Sequence, residues 1–206
     1  MTAEEAVWGL ISDVHGNRPA LDDAVRRLSR AGATRLAFLG DYLGRGESDA
    51  CVERIRALAD LAVVGNRDLD WRDRVARRTR DWVLGLPTVA QCGPLLVAHG
   101  DERLTRGLST AEIKRDFLRA WSELEARQAR IFAFGHSHQA RAWSKAQADA
   151  SVQQLTGERI CLQPGVRYFV NVGTTGLPFP GRGGPSVALL DLTRGELTHV
   201  ALEGRA

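Results

Sequence analysis

The chain is poor in the features that mark export, membrane insertion or a stapled fold. Across 206 residues no apolar run approaches the ~18 residues of a membrane span, and Val7–Ile11, the longest near the start, is shorter than a signal-peptide core. A cytoplasmic protein without a leader or membrane segment is the expectation. Cysteine is scarce: Cys51, Cys92 and Cys161 are odd in number, far apart and form no CxxC. That excludes a disulfide framework or a cysteine metal knuckle, and predicts buried thiols in a reducing compartment. Lysine is nearly missing, with only Lys114 and Lys145 among 28 basic residues. Acidic residues are interleaved with the arginines and the net charge is only +3, so GC-rich coding explains the arginine better than nucleic-acid binding does. There is no repeat, linker or low-complexity segment. At 44% hydrophobic and 26% charged, the composition is ordinary for a globular chain, and the length predicts one domain spanning 1–206.

Helical and strand patterns alternate through the first two-thirds. Short apolar runs at 7–12, 36–39, 61–64, 95–98 and 131–134 predict buried strands. Stripes at helical spacing predict helices over 19–28, 49–58 and 110–128, with a long arginine-dotted helix over 68–84 ended by Gly85 and Pro87. The last third turns β-like at 167–172 and 187–190. A turn at 193–195 leads into 196–201, and 178–185 is a Gly/Pro-rich loop. The fold class is α/β, with a more β-rich C-terminal half.

Each early strand ends in a polar cluster. The clusters are Asp13-Val14-His15-Gly16-Asn17, Gly40-Asp41, Gly65-Asn66-Arg67-Asp68, His99-Gly100-Asp101 and Gly135-His136-Ser137-His138. Four of the five histidines therefore sit at strand ends, where open α/β sheets bind ligands. Carboxylate, imidazole and one amide oxygen together make a donor set suited to Mn, Fe, Zn or Ni. Asp13 and His15, two apart, point to one side and can grip one ion together. Seven such ligands exceed the needs of one small ion and suit two ions about 3.5–4 Å apart that share a carboxylate, the clamp for in-line displacement at phosphorus.

These motifs, in this order, resemble the calcineurin-like metallophosphoesterase superfamily. The stretch 11–17 and Asn171-Val172-Gly173 are similar to its small bacterial and archaeal phosphodiesterase branch, and the resemblance spans about residues 7–191. It implies a four-layer α-β-β-α sandwich. Asp13, His15 and His138 would hold one metal, Asn66, His99 and His136 a second, and Asp41 would bridge both. The cofactors would be two divalent transition-metal ions, manganese foremost, with Fe, Zn or Ni as alternatives. A hydroxide between them would attack phosphorus in small phosphodiesters or nucleotides. Arg67 stands where the best-known phosphatases of the superfamily carry histidine, and Val172 where relatives commonly have proline. Arginine binds phosphate oxygens but gives up no proton near neutral pH. Catalytic roles accordingly fall to Asn66, Arg67 and Asp68, with Asp68 or a water as proton source, and substrate contacts to Asn17, Arg67 and Arg103, with Arg106 close by. Two alternatives share this fold: a phosphomonoesterase or protein phosphatase, and a non-catalytic protein-binding scaffold such as a retromer subunit. Scaffolds lose ligands, and this chain keeps all seven.

Plainer readings stand beside these. His199 is structural; Asp41 also suits a helix cap, Asn66 a turn, and Asn17 a cap before Pro19. Arg45 serves equally as a site partner or a loop residue. The arginines of 72–80 suit a solvated face, with Trp71 and Trp82 in the core.

Overall fold

Successive residues of a strand point to opposite faces, and here that alternation sorts the apolar side chains into three layers. The computed structural model describes residues 6–100, 121, 124–146, 151–181 and 183–203. The first half runs β1 (Val7–Ile11), α1 (Arg18–Arg30), β2 (Arg35–Phe38), α2 (Ser48–Leu58), β3 (Leu61–Ala62), α3 (Asn66–Trp71), a 3-10 turn (Arg72–Arg74) and α4 (Arg77–Leu84). Then come β4 (Val89–Cys92), β5 (Leu95–Ala98), β6 (Ile131–Phe134), β7 (Ala140–Ala146), β8 (Gln153–Leu155), β9 (Arg159–Cys161), β10 (Val166–Val172), β11 (Ser186–Asp191) and β12 (Glu196–Ala201). They form two six-stranded sheets, ordered β3-β2-β1-β11-β12-β9 and β4-β5-β6-β10-β7-β8.

Trp8, Leu10, Ala37 and Leu39 from the first sheet meet Ile131, Ala133, Tyr168 and Val170 from the second in a dry central layer. Their neighbours face outward. Ile11 and Phe38 pack against Leu21, Ala24 and Leu28 of α1 and Val52 and Ile55 of α2. Phe132, Phe134 and Phe169 pack on the far side with Trp121 and Leu124, which are helical. The order helix, sheet, sheet, helix is the α-β-β-α sandwich. No described helix is long and apolar enough to cross a membrane.

The parallel strands set the position of the site. β1, β2 and β3 pair in parallel, as do β5 and β6, so the loops that follow them leave a common end of each sheet.

Several expectations are corrected. The single helix over 68–84 is three pieces, because Val75 is extended (φ −127°, ψ 166°) and the Ala76 N–H is drawn to Asp49 Oδ1 at 3.1 Å. The break lets α4 turn Thr79 and Val83 inward. The third strand ends at Ala62, although Val63 N still bonds Phe38 O at 3.0 Å. Strands β4, β7, β8 and β9 lacked a sequence signal; β4, β8 and β9 are short and largely exposed, each turning only one or two side chains (Ala90 and Cys92, Leu155, Ile160) toward the core. Of the cysteines only Cys51 is buried; Cys161 is exposed because Ile160 takes the core side of β9. Trp71 and Trp82 lean on the core but stay partly exposed, with the Arg74 guanidinium 4.5 Å over the Trp71 ring. Most of 110–128 lies outside the described residues.

Candidate metal centre

The loops after β1, β2, β3, β5 and β6 turn sharply just past the sheet, and the backbone shows it. Among the described residues six non-glycine residues adopt positive φ, and five of them are Asp13 (54°), His15 (50°), Asp41 (57°), His136 (66°) and His138 (59°). Left-handed backbone is tolerated best by short polar residues and costs on the order of 1 kcal/mol each, a strain concentrated at functional sites. Glycine clears the space around them. A Cβ on Gly135 would overlap Ser12 Oγ and Asp13 Oδ2, and one on Gly65 would overlap the Asp41 backbone and carboxylate.

All seven expected ligands are linked by direct contacts. His138 Nε2 lies 3.0 Å from Asp13 Oδ1 and 3.2 Å from His15 Nε2. Asp41 Oδ2 lies between His15 Nε2 (3.7 Å) and His99 Nε2 (3.4 Å). His136 Nδ1 is 3.3 Å from His99 Nε2, and 2.8 Å from the seventh ligand atom, Asn66 Oδ1. Donor atoms of Asp13, His15 and His138, and again of Asp13, Asp41 and His99, fall within 4.8 Å of one another.

The remaining atoms of these side chains are tied down so that the donor atoms face inward. His99 Nδ1 donates to Leu39 O at 2.7 Å and His138 Nδ1 to Leu177 O at 2.6 Å, which turns both Nε2 atoms into the site. Asp13 Oδ2 accepts His136 N at 2.9 Å and Asp41 Oδ1 accepts Arg67 N at 2.8 Å. Asp13 Oδ1 is buried and receives no hydrogen bond. A buried carboxylate oxygen left without a donor is costly unless a cation meets it.

The electrostatics agree. Burial works against a charge on His99, but Asp41 and Asp13 outweigh it and push the imidazole up to about 10. Burial likewise opposes a charge on His138, and the Asp13 carboxylate beside it raises it regardless. Burial raises the Asp13 carboxyl, yet contacts with His138 and His15 hold it well below the carboxylate range. Burial, reinforced by the charge on His99, pushes His136 down. The site therefore favours positive charge, and its oxygen and nitrogen donors fit divalent transition cations.

Three supporting residues were not foreseen. The Asn171 amide donates to Gly135 O (2.7 Å) and Ser137 Oγ (2.8 Å), pinning the turn that carries His136 and His138. The Thr174 hydroxyl donates to Asp13 O at 3.1 Å. The Phe179 ring stacks on His138 at 4.6 Å. Asn171 draws notice in the sequence only as part of the 171–173 stretch of the resemblance, and Thr174 and Phe179 only through the turn-like sequence around them.

Of the other expected residues, Asp68 does not face substrate. It is fully buried, and its oxygens accept N–H groups of Asp41, Tyr42, Leu43 and Gly65. Burial, with the Asp41 charge, raises its carboxyl to about 6, against the pull of those N–H groups. The Asn17 amide caps α1 through Ala20 N (3.1 Å) and donates to Gly176 O (3.2 Å), so both its ends are engaged inside the protein. Arg67 is half-exposed beside Asn66, with its guanidinium 3.7 Å from Asp70. Arg45 is exposed. His199 Nε2 donates to Asn171 O at 3.0 Å, a structural contact. Arg103 and Arg106 lie outside the described residues.

Comparison with known proteins gives the same picture. A segment of 65 residues is 42% identical to the uncharacterized protein MJ0912 of Methanocaldococcus jannaschii, covering 31% of this chain and only 27% of that relative. The fold matches a metallophosphoesterase from Sphaerobacter thermophilus with a TM-score of 0.75 at 24% identity, over 97% of this chain and 89% of that one. It also matches a structure described as a novel archaeal phosphodiesterase, with a TM-score of 0.57 at 15% identity, over 95% and 99% of the two chains. The calcineurin-like phosphoesterase superfamily domain matches residues 7–195, and with nearly the whole sequence inside that match, the chain belongs to this superfamily.

Proposed function

We propose that this protein hydrolyses small phosphodiesters or nucleotides with two divalent transition-metal ions, manganese foremost. The observation that supports this reading is the convergence of seven donor side chains from both sheets around a buried carboxylate oxygen that no hydrogen bond reaches. Asp13, His15 and His138 would hold one ion and Asn66, His99 and His136 the other. Asp41 Oδ2, between His15 and His99, would serve both. When bound, such ions supply charge neutralisation at phosphorus and an ionised water as nucleophile near neutral pH.

The chain's own residues do the rest. Carbonyls of Leu39 and Leu177 fix the imidazole rings. Arg67, half-exposed beside Asn66, grips phosphate oxygens and balances developing charge, but it surrenders no proton. Asp68 is too deeply buried to supply one. Esters whose leaving oxygen is stable without a proton suit this site best, and the archaeal neighbour described as a phosphodiesterase lends weight to diesters.

The test is elemental analysis of purified protein paired with hydrolysis of bis-p-nitrophenyl phosphate with and without Mn²⁺. Asp41→Asn should lower the rate at least ~100-fold, since even residues that merely support a ligand cost up to that much. A variant as fast as the parent, or a protein that takes up no divalent ion, overturns the reading.

A further inference from the structure

Helix α3 opens on Asn66 and carries, one turn further on, a carboxylate that the proposed chemistry does not use, Asp70. Asn66 Oδ1 lies 2.8 Å from His136 Nδ1, and the Arg67 N–H donates to Asp41 Oδ1 at 2.8 Å. The first turn of the helix therefore walls one side of the metal centre. Residues three and four apart share a helix face, so Asp70 stands on the face that carries Asn66 and Arg67. The Arg67 and Asp70 side chains are 52% and 60% exposed, with Arg67 Nη1 3.7 Å from Asp70 Oδ2. Among the described residues neither side chain has another ion pair or hydrogen bond.

The helix beneath this pair is anchored. Asp68, between the two, is buried and accepts N–H groups of the loop after β2. Arg67 and Asp70 are thus fixed at the backbone and loose at their tips. An exposed pair of this kind is worth about 0–1 kcal/mol. A phosphate that forms two parallel hydrogen bonds with the guanidinium can draw Arg67 away from Asp70 against little resistance. The carboxylate nevertheless stays close by, and the guanidinium meets a substrate as half of a neutral pair. A phosphate monoester, with up to two negative charges, gains less from such a pair than from a lone arginine. A diester carries a single charge and forgoes less.

We propose that Asp70 is a charge-selecting residue, which by pairing with Arg67 turns the site toward singly charged phosphodiesters and away from doubly charged monoesters. On the phosphoesterase reading, on which this rests, Asp70 acts through Arg67 and touches no reacting atom. It is a positioning residue.

The experiment uses titration calorimetry on Mn²⁺-loaded protein, with metal content measured on each sample. It compares phenylphosphonate, at a pH where it is doubly charged, with its singly charged monomethyl ester. The carbon–phosphorus bond resists hydrolysis and methoxide leaves poorly, so binding is read without turnover. Asp70→Asn should raise the affinity ratio of the doubly to the singly charged ligand about threefold, the scale of one surface charge roughly 8 Å away. Asp70→Glu should keep the parental ratio. In an Arg67→Ala background the same Asp70→Asn change should shift the ratio by less than half as much. A ratio unmoved by Asp70→Asn, a ratio that Asp70→Glu moves as far, or a full shift without Arg67 overturns the role while the phosphoesterase reading stands. If neither ligand binds the loaded parent, that reading itself fails, and the charge selection with it.

Discussion

Asp68 shows how one side chain can shape a site without touching what binds there. Its two oxygens accept four backbone N–H groups, three from the loop after β2 and one from Gly65 at the start of α3. Those two loops present Asp41 and Asn66, so a single carboxylate sets their spacing. Asp68→Asn would aim an NH₂ group at backbone donors and leave N–H groups unpaired in the interior. The expected result is a loss of about 3 kcal/mol of stability and a 10–100-fold weaker hold on metal, read by denaturant titration and metal-binding calorimetry. Parental metal affinity in this variant would show that the two loops are set some other way. Arg67 makes a second, kinetic claim at the same scale. On the proposed reading, the guanidinium keeps its proton and Asp68 is sealed off, so neither would give acid help to a leaving oxygen. Across a series of aryl phosphodiesters, kcat/KM should therefore fall steeply as leaving-group pKa rises, and a slope near zero would show that a proton donor exists.

At the scale of strands and turns, β10 and β12 brace the turn that carries His136 and His138. His199 on β12 donates to the Asn171 carbonyl on β10, so it ties the two sheets together just where the Asn171 amide holds Gly135 and Ser137. Burial lowers the His199 pKa from its ordinary value of 6.5, and the Asn171 bond only partly offsets this. A depressed value means that the neutral ring is the one the fold accepts. Its contribution is fully present above the unfolded pKa and is lost as pH falls below about 6.5 toward the folded value. Relative to the parent, His199→Gln should lose less melting temperature between pH 7.5 and 5.5; identical slopes would assign the acid sensitivity to other groups. The same elements show what the sequence makes legible. Strand-end histidines and carboxylates stand out because turn glycines, apolar runs and ligand chemistry coincide within a few residues. The bracing roles of Asp68, Asn171 and Thr174 do not stand out, because most of their partners are backbone groups distant in sequence that no spacing encodes; Asp68 draws notice only as a catalytic candidate and Asn171 only through the 171–173 stretch. The break at Val75 was hidden by arginines that keep a helical rhythm on both sides of it. β8 and β9 are edge or near-edge pieces with too few buried positions to print an alternation.

For the molecule as a whole, a metal held at this centre would act as a cross-link between layers. The first sheet supplies Asp13, His15, Asp41 and Asn66 through the loops after β1, β2 and β3, and the second supplies His99, His136 and His138 after β5 and β6. Five of these residues sit in left-handed backbone, a conformation that the unfolded chain has no reason to keep. Cations that bind this arrangement bind the native state alone, and mass action then stabilises it by about 2.7 kcal/mol at a free metal concentration of ~100 Kd. A domain of this size gains roughly 2–4 °C per kcal/mol, so Mn²⁺ at that concentration should raise the melting temperature by about 5–10 °C. A chelator should reverse the rise. Asp41→Asn, lacking the shared carboxylate, should respond only weakly to the metal, whereas a variant of an exposed carboxylate such as Asp73→Asn should respond like the parent. If the melting temperature of the parent is the same in manganese and in chelator, the seven side chains do not draw the two sheets together through metal, and the cross-link is refuted along with the site it implies.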